Sequence, residues 1–352
     1  MPNIVAVATA VPEFEVDQAT VCEIVSNHFS GRLDELDRLL PIFSNAGITT
    51  RYFSRPINWM IQPHSLEERN IAYTDCATDL SAAAATKLIT QNEMSPEDFD
   101  YIIYVNTTGL STPSIDARLI NKLNLRRNIH RTPIWGLGCA GGAAGLAHAY
   151  RYLLGQPQGK VLLIATELCG LTFLADDFSK SNLVATALFS EGSAAVFLAG
   201  DKVNSHGMEI IGTKSTFYPD SLDVMGWNVV SKGLQVIFAQ RIPDIVKEHA
   251  AKDIDDFLIT HNLSLKDIST FLFHPGGTKV LKAYETALDL TDNELSLSWD
   301  VLNDYGNISS VTVLFILERF MNQNRQGSKG YGLITALGPG FCSESMLIKV
   351  QQ

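Results

Sequence analysis

The sequence has few cysteines, no long positively charged run and no apolar run long enough to cross a bilayer. Its five cysteines are Cys22, Cys76, Cys139, Cys169 and Cys342, and no two of them form a C-x-x-C pair. Widely spaced cysteines in odd number argue against a disulfide framework or a zinc site and are typical of a reducing compartment. We therefore expect a cytoplasmic protein without a bound metal.

Positive charge is also scarce. Lys and Arg number 27 against 38 Asp and Glu, so the net charge is −11. Nucleic acids and anionic membrane surfaces are therefore poor candidate partners. No apolar run approaches the roughly 18–20 residues of a transmembrane helix, so we expect no membrane insertion. The apolar start, residues 1–11, lacks positive charge and leads into Pro12, which predicts a first strand and not a signal peptide.

What the 352 residues do contain is an alternating α/β pattern. Hydrophobic residues make up 46% of the chain, and no Pro/Gly/Ser-rich linker divides it. Short apolar runs alternate with segments of helical periodicity, which indicates buried strands between helices. The predicted strands are 101–105, 161–166, 194–198, 271–273 and 333–336, and the predicted helices are 72–91, 140–154, 242–261 and 311–322.

The chain also contains an internal repeat. Residues 88–109 and 258–277 share one order of helix end, polar turn, strand and glycine-ended loop, and the match continues in 135–167 and 304–336. The repeat predicts two related halves, 1–215 and 216–352. Cys139 and Asn307 then lie at equivalent helix starts and His274 at a strand end. Because sites in α/β sheets gather at the carboxyl ends of strands, these three side chains should converge.

Cys139 lies in a glycine-rich segment that has three interpretations. Residues 136–141 match G-x-G-x-x-G, but the dinucleotide fingerprint belongs to a first βα turn with an acid about 20 residues later. A nucleophile at a helix N-terminus is the second, since the helix dipole and a nearby His⁺ favour the thiolate. The small residues 140–144 would leave room for an acyl group. A buried structural cysteine is the third.

The other candidate residues have equally plain alternatives. His274, in the segment HPGG, could pair with a thiolate or donate to a substrate oxygen, or it could be a satisfied buried histidine. Asn307, in YGNISS, could simply cap the next helix. Phe189 could be core packing. The tight turn at 338–340 could be scaffold or the wall of a pocket.

Four motifs together resemble the type III polyketide synthases, the chalcone-synthase-like branch of the thiolase superfamily. They are WGLGCAGG (135–142), HPGG (274–277), YGNISS (305–310) and GPGF (338–341), and the likeness extends over essentially the whole chain. Residues 111–118 and 167–173 resemble bacterial long-chain alkylpyrone and alkylresorcinol synthases in particular. The resemblance implies a thiolase fold, with duplicated α/β halves in a five-layered αβαβα arrangement, and a homodimer.

The resemblance also implies catalytic roles. Cys139 would take a medium- or long-chain fatty acyl group from CoA and hold the growing chain. His274 and Asn307 would polarise malonyl-CoA and stabilise the enolate left when CO₂ departs. Repeated condensation and ring closure would give alkylpyrones or alkylresorcinols. CoA thioesters are the substrates, and no cofactor is implied.

Further positions are implied to bind substrate. Phe189 matches one gatekeeper phenylalanine of the family, whereas Val236 stands where the second is expected. Thr108 and Cys169 match positions that line an acyl tunnel in long-chain members. The motif at the end of the chain adds the pocket residues Gly338, Pro339, Gly340 and Phe341.

Some features of the family are absent or unassigned. Thr112 replaces the methionine through which some plant members reach across the dimer, so that detail does not transfer. Arg38 and Arg51 could meet the CoA phosphates, although exposed solvated arginines are the commoner case. Two other functions remain as alternatives: a β-ketoacyl-carrier-protein synthase that performs one condensation, and a non-catalytic acyl-CoA-binding protein.

Overall fold

The structure is a computed structural model that describes residues 1–291, 293–323 and 330–350. Its strands are β1 (Asn3–Ala10), β2 (Phe14–Asp17), β3 (Thr50–Phe53), β4 (Tyr101–Asn106), β5 (His130–Trp135), β6 (Lys160–Leu168), β7 (Glu191–Ala199), β8 (Met208–Phe217), β9 (Met225–Val230), β10 (Gly233–Phe238), β11 (Ile268–Phe273), β12 (Gly330–Gly338) and β13 (Cys342–Val350).

The helices alternate with these strands. They are α1 (Gln18–Phe29), α2 (Leu36–Leu39), α3 (Pro41–Asn45), α4 (Ile57–Met60), α5 (Leu66–Gln91), α6 (Ile115–Lys122), α7 (Gly141–Gly155), α8 (Lys180–Leu188), α9 (Ile242–Ile259), α10 (Thr278–Leu288), α11 (Ser296–Tyr305) and α12 (Thr312–Gln323). Short 3₁₀ helices at Gly138–Ala140 and Ser309–Val311 lead into α7 and α12.

The main sheet has nine strands in the order β11-β12-β13-β8-β1-β7-β6-β4-β5. It consists of two wings joined where β1 and β8 pair antiparallel. In one wing, β4 and β6 are parallel neighbours, α7 leads into β6, and β7 returns antiparallel, while β5 pairs parallel with β4 at the edge. In the other, α12 lies between the parallel neighbours β11 and β12, and β13 returns antiparallel. Apart from the extra edge strand β5 of the first wing, the strand order is therefore the same in both wings, as the sequence repeat predicts.

Burial separates the sheet and its helices into layers. Val105 and Leu272 point into a central core that includes residues of α7 and α12. Their strand neighbours point outward, because successive side chains alternate between the faces of a strand. Tyr104 packs with α5 and Phe273 packs with α9 and α10. The succession of α5, one wing, α7 with α12, the other wing and α9 with α10 confirms the expected αβαβα thiolase fold.

The predicted elements are present, and most differences lie at their ends. The long helix α5 begins at Leu66, six residues before the predicted start, because Ser65 and Glu68 form a capping box. The predicted boundary between residues 215 and 216 falls inside β8, which belongs to the second wing. Among the helices of the described residues, none is both long and apolar enough to cross a membrane.

Candidate active site

Cys139 lies in the 3₁₀ turn between β5 and α7 and is almost fully buried, with 3% exposure. The backbone N–H of Gly138 donates to Thr107 Oγ1 at 3.0 Å, which attaches this turn to the end of β4. The thiol lies 3.5 Å from Ser309 Oγ, at the start of α12. The sequence repeat predicted this meeting of two helix starts.

The glycines after Cys139 serve a different purpose from the one expected. A Cβ on Gly142 would lie 2.2 Å from the carbonyl oxygen of Ser310, and one on Gly141 would lie 2.6 Å from Val105 Cγ1. The space beside these glycines is therefore filled by protein. The prediction that the small residues leave room for an acyl group is wrong: they let α7 and the start of α12 approach closely.

The GPGF segment packs against the same turn. Pro339 Cδ lies 2.5 Å from where a Cβ on Gly138 would be, and a Cβ on Gly338 would lie 2.3 Å from the carbonyl oxygen of Leu137. Phe341 is fully buried in the outer core with α9 and α10. Gly338 and Pro339 thus pack against the turn that carries Cys139, whereas Phe341 is a core residue. Gly340 follows this contact and has a φ of +134°.

His274 and Asn307 reach the site from the second wing. The backbone N–H of His274 donates to the carbonyl oxygen of Thr335 on β12, three residues before Gly338. Asn307 Oδ1 accepts the Ser309 N–H at 2.8 Å, so Asn307 does cap the turn that leads into α12. Its Nδ2 and both ring nitrogens of His274 are buried without a hydrogen-bond partner among the described residues. Buried polar groups are rarely left unpaired, and these free groups indicate a substrate site.

Burial decides the resting charge of these groups. It raises the pKa of the Cys139 thiol to about 12 and lowers the pKa of His274 to about 3. Both shifts favour the uncharged form because a buried charge loses its hydration. The expectation that a His⁺ holds Cys139 as a thiolate is therefore not supported for the resting protein. A neutral imidazole, unlike an imidazolium, can accept a proton from a thiol as the thiol attacks.

Glu167, which the sequence analysis did not place in the site, connects the two wings. Its Oε2 accepts from Thr107 N (2.9 Å) and Thr108 Oγ1 (2.8 Å), and its Oε1 accepts from Ser310 Oγ (2.6 Å). Burial raises the pKa of this carboxyl to about 7. The available signal was an acid at the end of a buried strand. Its hydrogen bonds orient the chain on either side of Cys139.

Three of the predicted pocket residues, Cys169, Phe189 and Val236, line one cavity of about 50 Å³, here called the Phe189 cavity. Apolar side chains from α1 and α4 supply much of the remaining wall. Phe189 also forms a backbone bridge with Asn307, so the cavity adjoins that candidate residue. Thr108 lies in a separate cavity with Arg69, and its hydroxyl is committed to Glu167. Thr108 Oγ1 also accepts from the backbone N–H of Leu168 at 2.9 Å, so Thr108 lies against the residue before Cys169, and its assignment to the acyl tunnel stays a prediction.

A second, open cavity of about 580 Å³ has a basic rim that the sequence analysis largely missed. Arg38, Lys180 and Lys279 line it together with Gly276 and Gly277 of the HPGG motif. Lys279 could have been noticed because it closely follows that motif. Arg51 lines the Phe189 cavity instead and is 1% exposed, so its assignment to the CoA phosphates is wrong.

Comparison with known proteins identifies the family. Residues 2–202 match the N-terminal domain of chalcone and stilbene synthases, and residues 209–351 match the C-terminal domain. A Bacillus subtilis (strain 168) protein named "Putative chalcone synthase" is 40% identical over 358 residues, covering 99% of this chain and 98% of that protein. A 1,3,6,8-tetrahydroxynaphthalene synthase from Streptomyces peucetius subsp. caesius is 35% identical, covering 99% and 93%.

The fold agrees with solved structures. The crystal structure of 1,3,6,8-tetrahydroxynaphthalene synthase from Streptomyces coelicolor A3(2), a bacterial type III polyketide synthase, superimposes with a TM-score of 0.94 at 26% identity and covers 99% of both chains. The chain is thus an acyltransferase of the thiolase-like fold. It belongs to the chalcone and stilbene synthase family of type III polyketide synthases.

Proposed function

We propose that this protein condenses malonyl-CoA repeatedly onto a medium- or long-chain fatty acyl group held on Cys139, and then closes the chain into an alkylpyrone or alkylresorcinol. The observation that supports the chemistry is that both ring nitrogens of His274 and Asn307 Nδ2 are buried without a partner among the described residues. Asn307 is linked to Cys139 through Ser309, whose N–H donates to Asn307 Oδ1 and whose Oγ lies 3.5 Å from the thiol. Neutral N–H donors in a dry pocket stabilise charge that develops on a substrate oxygen.

The first half-reaction loads the nucleophile. The Cys139 sulfur attacks the thioester carbon of the acyl-CoA, and neutral His274 accepts the thiol proton. CoA leaves as its thiol after taking that proton, and Cys139 carries the acyl group. Since burial keeps both resting side chains uncharged, the proton transfer accompanies the attack.

The second half-reaction extends the chain. The bond between the malonyl carboxylate and its α-carbon breaks, CO₂ departs, and the electron pair forms an enolate whose oxygen accepts hydrogen bonds from His274 and Asn307 Nδ2. The enolate carbon then attacks the acyl thioester, and the Cys139 sulfur leaves. The chain is two carbons longer and returns to Cys139 for the next cycle.

The proposal that the starter is aliphatic rests on the side chains that line the Phe189 cavity. Val236 and Cys169 present small side chains where an aromatic wall would restrict an acyl tail. The resting volume of about 50 Å³ suits a short group, so a long tail requires the lining side chains to move apart. The basic rim formed by Arg38, Lys180 and Lys279 would bind the CoA phosphates at the open cavity.

We further propose that two copies of the chain form a homodimer through the β5 edge of the main sheet. β5 is the terminal strand of the order, and most of its residues are exposed or half-buried. Trp135 (45% exposed) is the last residue of β5, and its Nε1 donates to the carbonyl oxygen of Gly109, next to the apolar Leu110 (40% exposed). An uncovered strand edge with apolar neighbours favours pairing with another chain. Light scattering of the purified protein should give twice the chain mass, and a monomer would contradict the proposal.

A second function has its own support. The 35%-identical relative is named for a tetrahydroxynaphthalene, a product without an alkyl chain, so a starter-free condensation of malonyl-CoA alone is the alternative.

Mass spectrometry of the products distinguishes these functions. The purified protein is incubated with malonyl-CoA alone, and with malonyl-CoA plus acyl-CoA starters from acetyl to stearoyl and a coumaroyl control. Alkylpyrones or alkylresorcinols with the largest yield at long starters would support the proposal. A naphthalene product from malonyl-CoA alone would replace it with the alternative, and a dominant coumaroyl product would refute the aliphatic starter.

A further inference from the structure

Arg51 is a buried cation that the condensation steps above do not use. It is the second residue of β3 and is 1% exposed. Its side chain lines the Phe189 cavity together with Cys169 and Val236. Arginine is almost never fully buried unless it is paired, so its partners determine its function.

The partners satisfy only part of the guanidinium. Nη1 donates to the carbonyl oxygens of Thr186 and, at 2.9 Å, of Phe189, at the C-terminal end of α8. No salt bridge to Arg51 is formed by any carboxylate of the described residues. Nε and Nη2 are buried and have no hydrogen-bond partner in the same part of the chain. These two nitrogens form one edge of the planar guanidinium, and their N–H bonds on that edge point the same way.

That free edge selects the chemistry of its ligand. A guanidinium edge binds two oxygen atoms held side by side in one plane. An aliphatic tail has no such atoms. The malonyl carboxylate does, but a cation that held it would stabilise the carboxylate relative to departing CO₂ and slow the reaction. A 1,3-dicarbonyl unit of an extended chain also presents two coplanar oxygens, and it is small enough for the cavity.

We propose that the Nε/Nη2 edge of Arg51 binds the two oxygens of a 1,3-dicarbonyl unit in the growing chain, and thereby positions the chain for further extension. This inference rests on the proposed iterative condensation. Arg51 is a specificity-determining residue for the number of extensions, because the first acyl group lacks a dicarbonyl and later intermediates carry one.

The test replaces the planar guanidinium of Arg51 by a group that can still donate to the carbonyl oxygens at the end of α8. In Arg51→Lys the ammonium retains the charge and can still reach a carbonyl of α8, but it cannot donate along a flat edge. Acyl loading of Cys139 is measured by intact mass in the same variant, so that weaker binding of the starter is distinguished from a loss of later extensions. The ratio of products with two or more extensions to products with one should fall at least about tenfold, which corresponds to about 1.4 kcal/mol.

Arg69→Lys is the matched control, because Arg69 is also a buried arginine that donates to carbonyl oxygens, those of His64 and Leu171. A tenfold change that appears in Arg51→Lys and not in Arg69→Lys supports the proposal. An unchanged product ratio in a folded Arg51→Lys, or an equal change in both variants, overturns it. If the wild type makes no multiply extended product, the proposed function itself fails, which is a separate outcome.

A binding measurement on the wild-type protein decides the matter if Arg51→Lys does not fold. Ligand-observed NMR titrations compare acetylacetone, a 1,3-diketone, with pentan-2-one, which has the same carbon skeleton and one oxygen. We expect acetylacetone to bind at least about tenfold more tightly. Equal affinity would overturn the proposal.

Discussion

The two wings of the sheet contribute opposite kinds of group to the site. In the first wing, the turn that carries Cys139 is held through Thr107 and Glu167, whose oxygens are hydrogen-bonded. In the second wing, the nitrogens of His274 and Asn307 are buried and unpaired among the described residues. A nucleophile requires a fixed backbone, whereas donors that stabilise a transient charge must be unoccupied before that charge forms. The two wings therefore present different kinds of group to the candidate site.

The largest effect is expected from replacing Cys139, which should separate acyl loading from the release of CO₂. Cys139→Ala should abolish the acyl mass shift and reduce product formation by at least about 10³-fold. Release of CO₂ from malonyl-CoA should persist, since His274 and Asn307 remain. Intact-mass analysis and a CO₂ assay measure the two activities separately. If CO₂ release disappears together with loading, the wings do not have separable tasks.

The converse variant is Asn307→Asp, which keeps the acceptor for Ser309 N but replaces the free Nδ2 donor with an oxygen. Loss of one oxyanion donor costs about 10²–10³-fold, so CO₂ release should fall by that factor. Acyl loading of Cys139 should fall much less. Asn303→Asp on the exposed side of α11 is the control. Equal losses of loading and CO₂ release would show that Asn307 acts only by capping α12.

Comparing Glu167 with Glu191, a second buried carboxyl, tests whether the hydrogen bonds of Glu167 matter for catalysis or only for stability. Burial raises the pKa of Glu167 and of Glu191 to about 7, above the unfolded value of about 4.3. Folding therefore retains a proton between these pH values, and the free energy of unfolding should fall as pH rises from about 4.5 to 7. Each Glu→Gln variant should remove about 3 kcal/mol of that pH dependence.

Catalysis should separate the same two variants. In Glu167→Gln the amide nitrogen faces a donor from Thr107, Thr108 or Ser310, so kcat should fall about tenfold, whereas Glu191→Gln should have a smaller effect. Urea unfolding at pH 5 and pH 8, with product assays of both variants, measures this. Equal changes in kcat would mean that the Glu167 contacts stabilise the protein without orienting the site.

The smallest effect is expected at the basic rim of the open cavity, which contains none of the residues Cys139, His274 and Asn307. Lys279→Ala should raise the KM for malonyl-CoA about threefold and leave kcat nearly unchanged, because an exposed charge contributes little and is screened by salt. The effect should shrink at high ionic strength. Lys266→Ala, outside that cavity, is the matched control. A fall in kcat without a change in KM would assign Lys279 to positioning and not to CoA binding.

Much of the fold could be predicted because its signals are local. Buried strands such as β4 and β6 are continuous apolar runs, and α9 begins at the predicted residue. Cys139 at a helix start and His274 at a strand end follow from the same local patterns. The repeat added the topology, since two segments with one order of elements fold into wings with one strand order.

The alternation of strands and helices and the duplication follow from the sequence alone, whereas the convergence of Cys139, His274 and Asn307 on one site stays a prediction from it. Only the tertiary structure decided that Gly141 and Gly142 are packing contacts, that Glu167 joins the wings and that Arg51 is buried with one edge free. Periodicity records which face of an element is apolar. It does not record which distant atom fills the space opposite, and the charge and hydrogen bonding of a buried group depend on that atom.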